Sequence, residues 1–236
     1  MTHPTPRQLA QRLPDPRDVH RIALAIAALD VVLCSDWEER CFLFDPTWDD
    51  GEEYASMRNG AGDSYHIVFS DAGVVIRGFA HESDLSPWAR DGGDVAPGVL
   101  DDFPPPLRYV IDEPAFNASD EDPDAALEEL GRGEGWTDPP IELTCCFWCV
   151  APDDVWCAGP VTDDGGAAEL LAVVLHGGPD GYRDFARDYY EVELGAEVDA
   201  VYRHEPMTAA MIEAINPAAD ASDVLTELAE IGYPVG

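Results

Sequence analysis

Apolar residues recur at intervals of three and four along 18–33, as at Val19, Ile22, Ile26 and Leu29. This spacing places their side chains on one face of a helix, so the pattern predicts a helix that packs against the core. Further helices are predicted over 5–13, 107–111, 167–175, 208–215 and 222–231, and from Pro179 onward. In the helix that begins at Pro179, Tyr182, Phe185, Ala186 and Tyr189 are predicted to share one face.

A β-hairpin is predicted where two strand-like segments, 64–70 and 74–81, flank a short turn. A two-residue turn at Asp71 and Ala72 sets the register of the two strands. In that register Phe69 faces Val74, Ile67 faces Ile76 and His66 faces Arg77. Because side chains alternate between the faces of a sheet, the first two pairs are predicted to face the core. The other face, with His66, Arg77, Phe79 and His81, is predicted to be a polar, surface or half-buried face.

Other segments extend this prediction to a sheet. Strands are expected at 38–44 and 141–150, with short ones at 155–158 and 198–204, and a turn is expected at 45–51. Residues 52–58 fit a strand or a short helix. Since helices and strands do not alternate strictly, the pattern predicts one α+β domain over 1–236. Its sheet is mainly antiparallel with a central hairpin, flanked by N-terminal and C-terminal helices. The acidic stretch near 112–138 is interpreted as a loop insertion within that domain.

The charge balance excludes several classes of function. The chain has a formal net charge of −35, from 48 acidic and 13 basic residues, and every basic residue is an arginine. Without lysine, neither a lysine Schiff base nor a P-loop lysine is available. An acidic surface repels phosphate groups, so neither nucleic-acid binding nor attachment to anionic membranes is expected. A surface adapted to a basic partner and a general adaptation to salt or genome composition both account for the charge.

The six cysteines are predicted to be reduced thiols. The first residues lack the apolar run of a signal peptide, so a cytoplasmic location is expected. Cys146 and Cys149 have CxxC spacing, but within a strand their side chains point to opposite faces. No metal site is therefore predicted. Gly60–Asp63 precedes a strand rather than a helix, so no nucleotide cofactor is expected either.

The polar end of the hairpin is the densest cluster of chemically versatile side chains. His81 and Glu82 are candidates for general acid–base catalysis, and Arg77 is a third candidate residue. The alternative is that the polar run from His81 to Ser83 forms a turn, in which side chains bond free backbone amides. His66 lies about 13 Å from His81, at about 3.3 Å per residue, so these two imidazoles cannot share a metal ion.

A resemblance extends over much of the chain. The residues Asn59-Gly-x-Gly-Asp-x-Tyr65, Gly78-Phe-x-His-Glu-Ser83 and Ser86-Pro87 form a pattern, to which Glu113–Phe116 and Ile231–Pro234 also belong. This pattern resembles a bacterial protein family of unassigned function. The resemblance implies no particular activity, cofactor or site. The acidic α+β character is also similar, by analogy alone, to that of toxin-immunity proteins.

Two hypotheses for function follow. The first is an acidic, soluble binding or inhibitory protein, of the immunity type, that recognises a basic protein partner. Its predicted partner-binding residues are Asp120, Glu121, Asp122 and Asp124. The alternative is a small cytoplasmic enzyme with a polar site around His81 and Glu82. Substrate, partner identity and oligomeric state stay open at this point.

Overall fold

Six strands form a single antiparallel sheet in the computed structural model, which describes residues 4–90, 94–112 and 141–236. The strands are β1 (Phe42–Asp49), β2 (Glu52–Arg58), β3 (Ser64–Ser70), β4 (Gly73–Phe79), β5 (Cys145–Val150) and β6 (Cys157–Ala158). Each pairs with its neighbour in sequence, so the spatial order is the chain order. The predicted α+β fold class is confirmed.

Helices lie before, between and after the strands in chain order. They are α1 (Pro6–Ala10), α2 (Pro16–Leu33), α3 (Arg108–Asp112), α4 (Ala167–Leu170), α5 (Ala172–His176), α6 (Pro179–Tyr189), α7 (Glu197–Tyr202), α8 (Ala209–Ile215) and α9 (Ala221–Glu230). Short 3-10 segments occur at Trp37–Glu39, Pro87–Ala89 and Pro105–Leu107. Within the described ranges, no helix has the length and apolar character needed to cross a bilayer.

The predicted register of the β3–β4 hairpin is confirmed. Ser70 pairs with Gly73 across the two-residue turn, Ile67 pairs with Ile76, and His66 pairs with Arg77. Of these, Ile67 and Ile76 belong to the main core, in which α2 packs against the sheet. The alternation of side chains along the hairpin therefore sets which residues face this core.

The opposite face of the hairpin is not the polar face that was predicted. A second hydrophobic cluster covers it, built from Val68, Val75 and Trp148 of the sheet together with residues from 96–111. Arg77 is only 1% exposed, and its guanidinium donates to the backbone carbonyls of Val110 and Glu142, each at 3.3 Å. The prediction was wrong for Arg77, because local alternation does not reveal which distant segment folds over a face, whereas His66 is half-buried, as one of the predicted alternatives had it.

Strand β5 carries its cysteines as predicted. Cys145 and Cys149 lie in the main core, whereas Cys146 lies in the second cluster on the other face of the sheet. Burial raises the pKa of the Cys146 thiol to about 12. Among the described residues, no group of three or more His, Cys, Asp or Glu side chains is arranged to hold a metal ion.

Three local predictions need correction. Residues 198–204 lie mostly in helix α7 rather than in a strand, since Val198 and Val201 bury one helical face of this short segment. The predicted helix over 167–175 is divided into α4 and α5 at Leu171. Strand β1 continues to Asp49, through an irregular region that contains Pro46, so the turn at 45–51 is shorter than predicted. An edge strand tolerates proline at such an irregularity.

Candidate functional site

A groove of about 530 Å³ opens where one end of the sheet meets helices α4, α5 and α6. This is within the range of small-ligand sites, which are about 300–1,000 Å³. It is lined by Cys41, Phe42, Met57, Asn59, Asp63, Glu169, Leu170, Ala172, Val173, His176, Gly181, Asp184, Phe185, Asp188 and Tyr189. We call it the acid-rimmed groove, because four of these lining residues, Asp63, Glu169, Asp184 and Asp188, are acidic.

The floor of the groove is apolar and aromatic. Phe42, Met57 and Leu170 contribute side chains that are less than 9% exposed. Phe185 and Tyr189 stack with ring centroids 5.1 Å apart and planes inclined by 18°. They lie on α6, whose Tyr182 and Ala186 are fully buried, so the predicted aromatic face of this helix continues from the core into the groove.

Carboxylates from three elements line the groove together with these apolar side chains. Asp63 lies in the loop between β2 and β3, Glu169 lies on α4, and Asp184 and Asp188 lie one turn apart on α6. Arg187 bonds Asp184 at 2.7 Å and approaches Asp188 at 3.5 Å. Within the described part of the chain, no basic group lies within 4.0 Å of Glu169. The rim therefore has more negative than positive charge, which attracts cations into the groove.

Asp63 is held in place by its own loop. Asn59 accepts hydrogen bonds from the backbone N–H groups of Ala61 and Asp63, at 2.9 and 3.1 Å. Its side-chain amide donates to Asp63 Oδ2 at 3.0 Å. Because Asn59 bonds both the backbone and the side chain of Asp63, that carboxylate has a defined position at the groove wall.

His81 is the partner of Asp63. Asp63 Oδ1 accepts from the His81 backbone N–H at 2.9 Å and lies 2.7 Å from His81 Nδ1. Hydrogen bonding to Asp63 raises the pKa of His81 above its ordinary value. Partial burial alone would raise the pKa of Asp63, but the hydrogen bonds from His81 and Asn59 outweigh it and lower that pKa. The pair therefore favours imidazolium beside carboxylate.

The remaining polar residues of this turn have mainly structural contacts. Ser83 accepts from the backbone N–H of Leu85 at 3.1 Å, and Ser86 accepts from that of Trp88 at 3.3 Å. The Glu82 side chain is 90% exposed and lies 3.9 Å from His81 Nε2. Local hydrogen bonding, the predicted alternative, thus accounts for the serines, whereas His81 has a partner from outside the turn.

The structure separates the third catalytic candidate from the other two. The Arg77 guanidinium lies against carbonyls on the second-cluster side of the sheet, whereas His81 and Glu82 lie beyond the end of β4. These contacts of Arg77 are structural, because they join β4 to the backbone of segments that are distant in the chain. The predicted partner-binding residues, Asp120, Glu121, Asp122 and Asp124, lie outside the residues that the structure describes.

Sequence reasoning missed Asp63, although a signal for it existed. Ser64 pairs with Phe79, so Asp63, just before β3, and His81, just after β4, come together at one end of the hairpin. Extending the predicted register beyond Ser64 and Phe79 places Asp63 opposite Ala80, the residue before His81, and so brings Asp63 close to His81. Glu169 and Asp184 gave no such signal, because their approach to this loop depends on how α4 and α6 pack.

A buried carboxylate lies behind the groove wall. Asp30 of α2 is 0% exposed and accepts from the backbone N–H of Phe42 at 2.8 Å and from the hydroxyls of Tyr182 at 2.5 Å and Tyr190 at 2.9 Å. Burial raises its pKa to about 6, against the effect of these donors. Asp30 thereby ties α2 to β1, to α6 through Tyr182 and to the C-cap of α6 through Tyr190.

Comparison with known proteins finds no matching family model, no similar curated protein and no similar solved structure.

Proposed function

We propose that the protein is an acidic binding protein that captures a basic protein partner in the acid-rimmed groove. The observation that carries this proposal is the convergence of carboxylates from three separate elements around one apolar floor. Asp63, Glu169 and Asp184 are far apart in sequence, so their meeting at one opening is a product of the fold. Such a site suits a side chain with a positively charged end and an apolar stem.

The overall charge supports the same function. With 48 acidic and 13 basic residues, the chain has a net charge that attracts a basic partner. Long-range attraction of this kind increases the rate of encounter and falls as salt screens it. Long-range attraction alone does not fix where the partner binds. The groove provides a defined position in which one side chain of the partner can be buried away from water.

The partner that fits this description best is a basic, nuclease-like toxin, which would make the protein an immunity-type inhibitor. A toxin of this kind binds phosphate backbones with basic residues, and an acidic protein competes for those same residues. We expect a basic toxin encoded beside this gene to form a salt-sensitive complex with the protein and to lose its activity in that complex.

Binding of a short basic peptide tests the groove directly. We expect a labelled peptide of alternating arginine and glycine to bind at about 20 mM salt, and to bind at least ~10-fold more weakly at about 300 mM salt. Glu169→Gln should weaken binding by about 5–10-fold, because it removes a rim charge that has no basic neighbour in the described structure. Fluorescence anisotropy measures both effects.

Two further variants complete this experiment. Glu213→Gln makes the same chemical change at an exposed position of α8 that does not line the groove, and it should leave affinity within about 2-fold. Arg187→Gln frees Asp184 and Asp188 from their internal cation and should strengthen binding. Equal effects of Glu169→Gln and Glu213→Gln would contradict the groove as the binding site.

The Asp63–His81 pair favours a second candidate function, a general acid–base enzyme. A carboxylate that bonds one imidazole nitrogen orients the ring and leaves the other nitrogen to exchange a proton with a substrate. His81 has this arrangement through Nδ1, and Asp63 also lines the groove. The enzyme function therefore uses His81 as the catalytic residue and Asp63 as its positioning residue.

Titration of His81 by NMR tests this pair. Asp63→Asn should lower the pKa of His81 toward about 6.5, because the raised value depends on the carboxylate. If the pair is catalytic, turnover of small ester, amide or phosphate-ester substrates should disappear in His81→Gln and should follow the His81 titration in its pH dependence. Equal rates in the wild type and His81→Gln over this panel would exclude the catalytic role.

A further inference from the structure

From the composition of the groove we infer that its ligand is a single arginine side chain presented by the partner, recognised in preference to lysine. This inference rests on the proposed function and names the group that enters the groove. It depends on the combination of stacked rings, apolar floor and separated carboxylates.

The aromatic rings favour a flat cation. Tyr189 is 40% exposed at the groove, and its ring is held by stacking on Phe185 and by an edge contact with Tyr190 at 4.9 Å. A guanidinium is planar and weakly hydrated, so it stacks on such a ring, whereas an ammonium group keeps its water more strongly. The aromatic rings are therefore expected to make the groove bind arginine more tightly than lysine, a preference that carboxylates alone would not give.

The carboxylates suit the several donors of a guanidinium. Arginine has five N–H donors in one plane, and it bonds carboxylates that approach from different directions. Glu169 stands on a different element from Asp184 and Asp188, and Asp63, although paired with His81, stands on a third, so carboxylates reach the groove from separate elements. Arg187 bonds Asp184 within α6, so Glu169, which has no basic group within 4.0 Å in the described structure, is the carboxylate most available to an incoming guanidinium.

The apolar floor suits the stem of the same side chain. Met57 and Leu170 offer aliphatic surface below the rim, against which three methylene groups can pack. The groove volume of about 530 Å³ exceeds that of one side chain, leaving room for the partner's adjacent backbone. A projecting arginine on a partner loop therefore matches the groove in charge, shape and polarity.

Three peptides that differ at one position test this inference. Each has a glycine–serine sequence with a single central residue, either arginine, lysine or citrulline, which has nearly the shape of arginine without its charge. We expect the arginine peptide to bind about 10-fold more tightly than the lysine peptide, and the citrulline peptide to bind no better than a glycine control. Isothermal titration calorimetry at low salt gives these affinities.

Tyr189→Leu connects the preference to the aromatic wall. It should reduce the preference for arginine over lysine to within about 3-fold, while lysine binding changes little. Tyr109→Leu is the matched control, since Tyr109 is 43% exposed on α3 and does not line the groove. Because the peptide series needs no change to the protein, it remains decisive even if Tyr189→Leu folds poorly.

The outcomes separate this inference from the proposed function. If arginine and lysine peptides bind equally and both depend on Glu169, the preference for arginine is overturned while the capture of basic partners stands. Binding that is insensitive to both Glu169→Gln and Tyr189→Leu overturns the groove as the arginine site. If neither the single-residue peptides nor the arginine–glycine peptide binds at low salt, the inference and the proposed function fail together.

Discussion

Replacing Gly73 with alanine is expected to lower the free energy of unfolding by about 3–5 kcal/mol. Gly73 has φ +142°, a backbone conformation that residues with a Cβ rarely adopt, at the start of β4. A Cβ atom at this position would lie 2.1 Å from the backbone oxygen of Cys149. Since that oxygen belongs to the neighbouring strand β5, the clash can be relieved only by moving one strand away from the other.

Gly60→Ala separates the clash from the effect of backbone conformation. Gly60 also has a positive φ, +70°, but a Cβ there meets no atom within 4 Å. Its replacement should cost about 1–2 kcal/mol, the penalty for the left-handed region alone. Equilibrium unfolding in urea, followed by tryptophan fluorescence, measures both variants. Equal losses would show that β5 does not constrain Gly73.

Replacing Asp30 with alanine is expected to lower the free energy of unfolding by about 3–5 kcal/mol, because three donors lose a buried acceptor. The donors are the Phe42 backbone N–H and the hydroxyls of Tyr182 and Tyr190. Asp30→Asn retains an acceptor oxygen and removes the charge, so it should be much less destabilising at neutral pH. Urea unfolding at matched pH compares the two variants.

The Asp30 carboxyl makes the free energy of unfolding depend on pH. Its pKa is about 6 in the folded protein and 3.8 as an ordinary aspartate, so the folded state binds the proton more tightly. The part of Asp30's stabilisation that comes from binding this proton is therefore complete below about pH 4 and is lost as pH rises through about 6. Relative to Asp30→Asn, the wild type should lose up to about 3 kcal/mol between these limits. Parallel pH profiles of the two proteins would show that Asp30 does not titrate in this range.

Some features of the candidate site could be predicted from the sequence, and others could not. His81 was identified by its polar surroundings, and the hairpin register placed Asp63 within reach of it. The aromatic face of α6 followed from its spacing of three and four residues. The groove itself could not be predicted. Asp63, Glu169 and Asp184 belong to different elements, and the periodicity of hydrophobic residues within each element does not show how those elements pack together.

The sequence by itself determined the local and the summed properties of this protein: its large negative charge, the register of the β3–β4 hairpin, and the opposite directions of Cys146 and Cys149 on β5. These depend on neighbouring residues or on simple counts. Only the tertiary structure decided that a second hydrophobic cluster buries Arg77, and that carboxylates from three elements meet around an apolar floor. Both outcomes depend on contacts between residues distant in the chain, which form only when the helices and loops pack against the sheet.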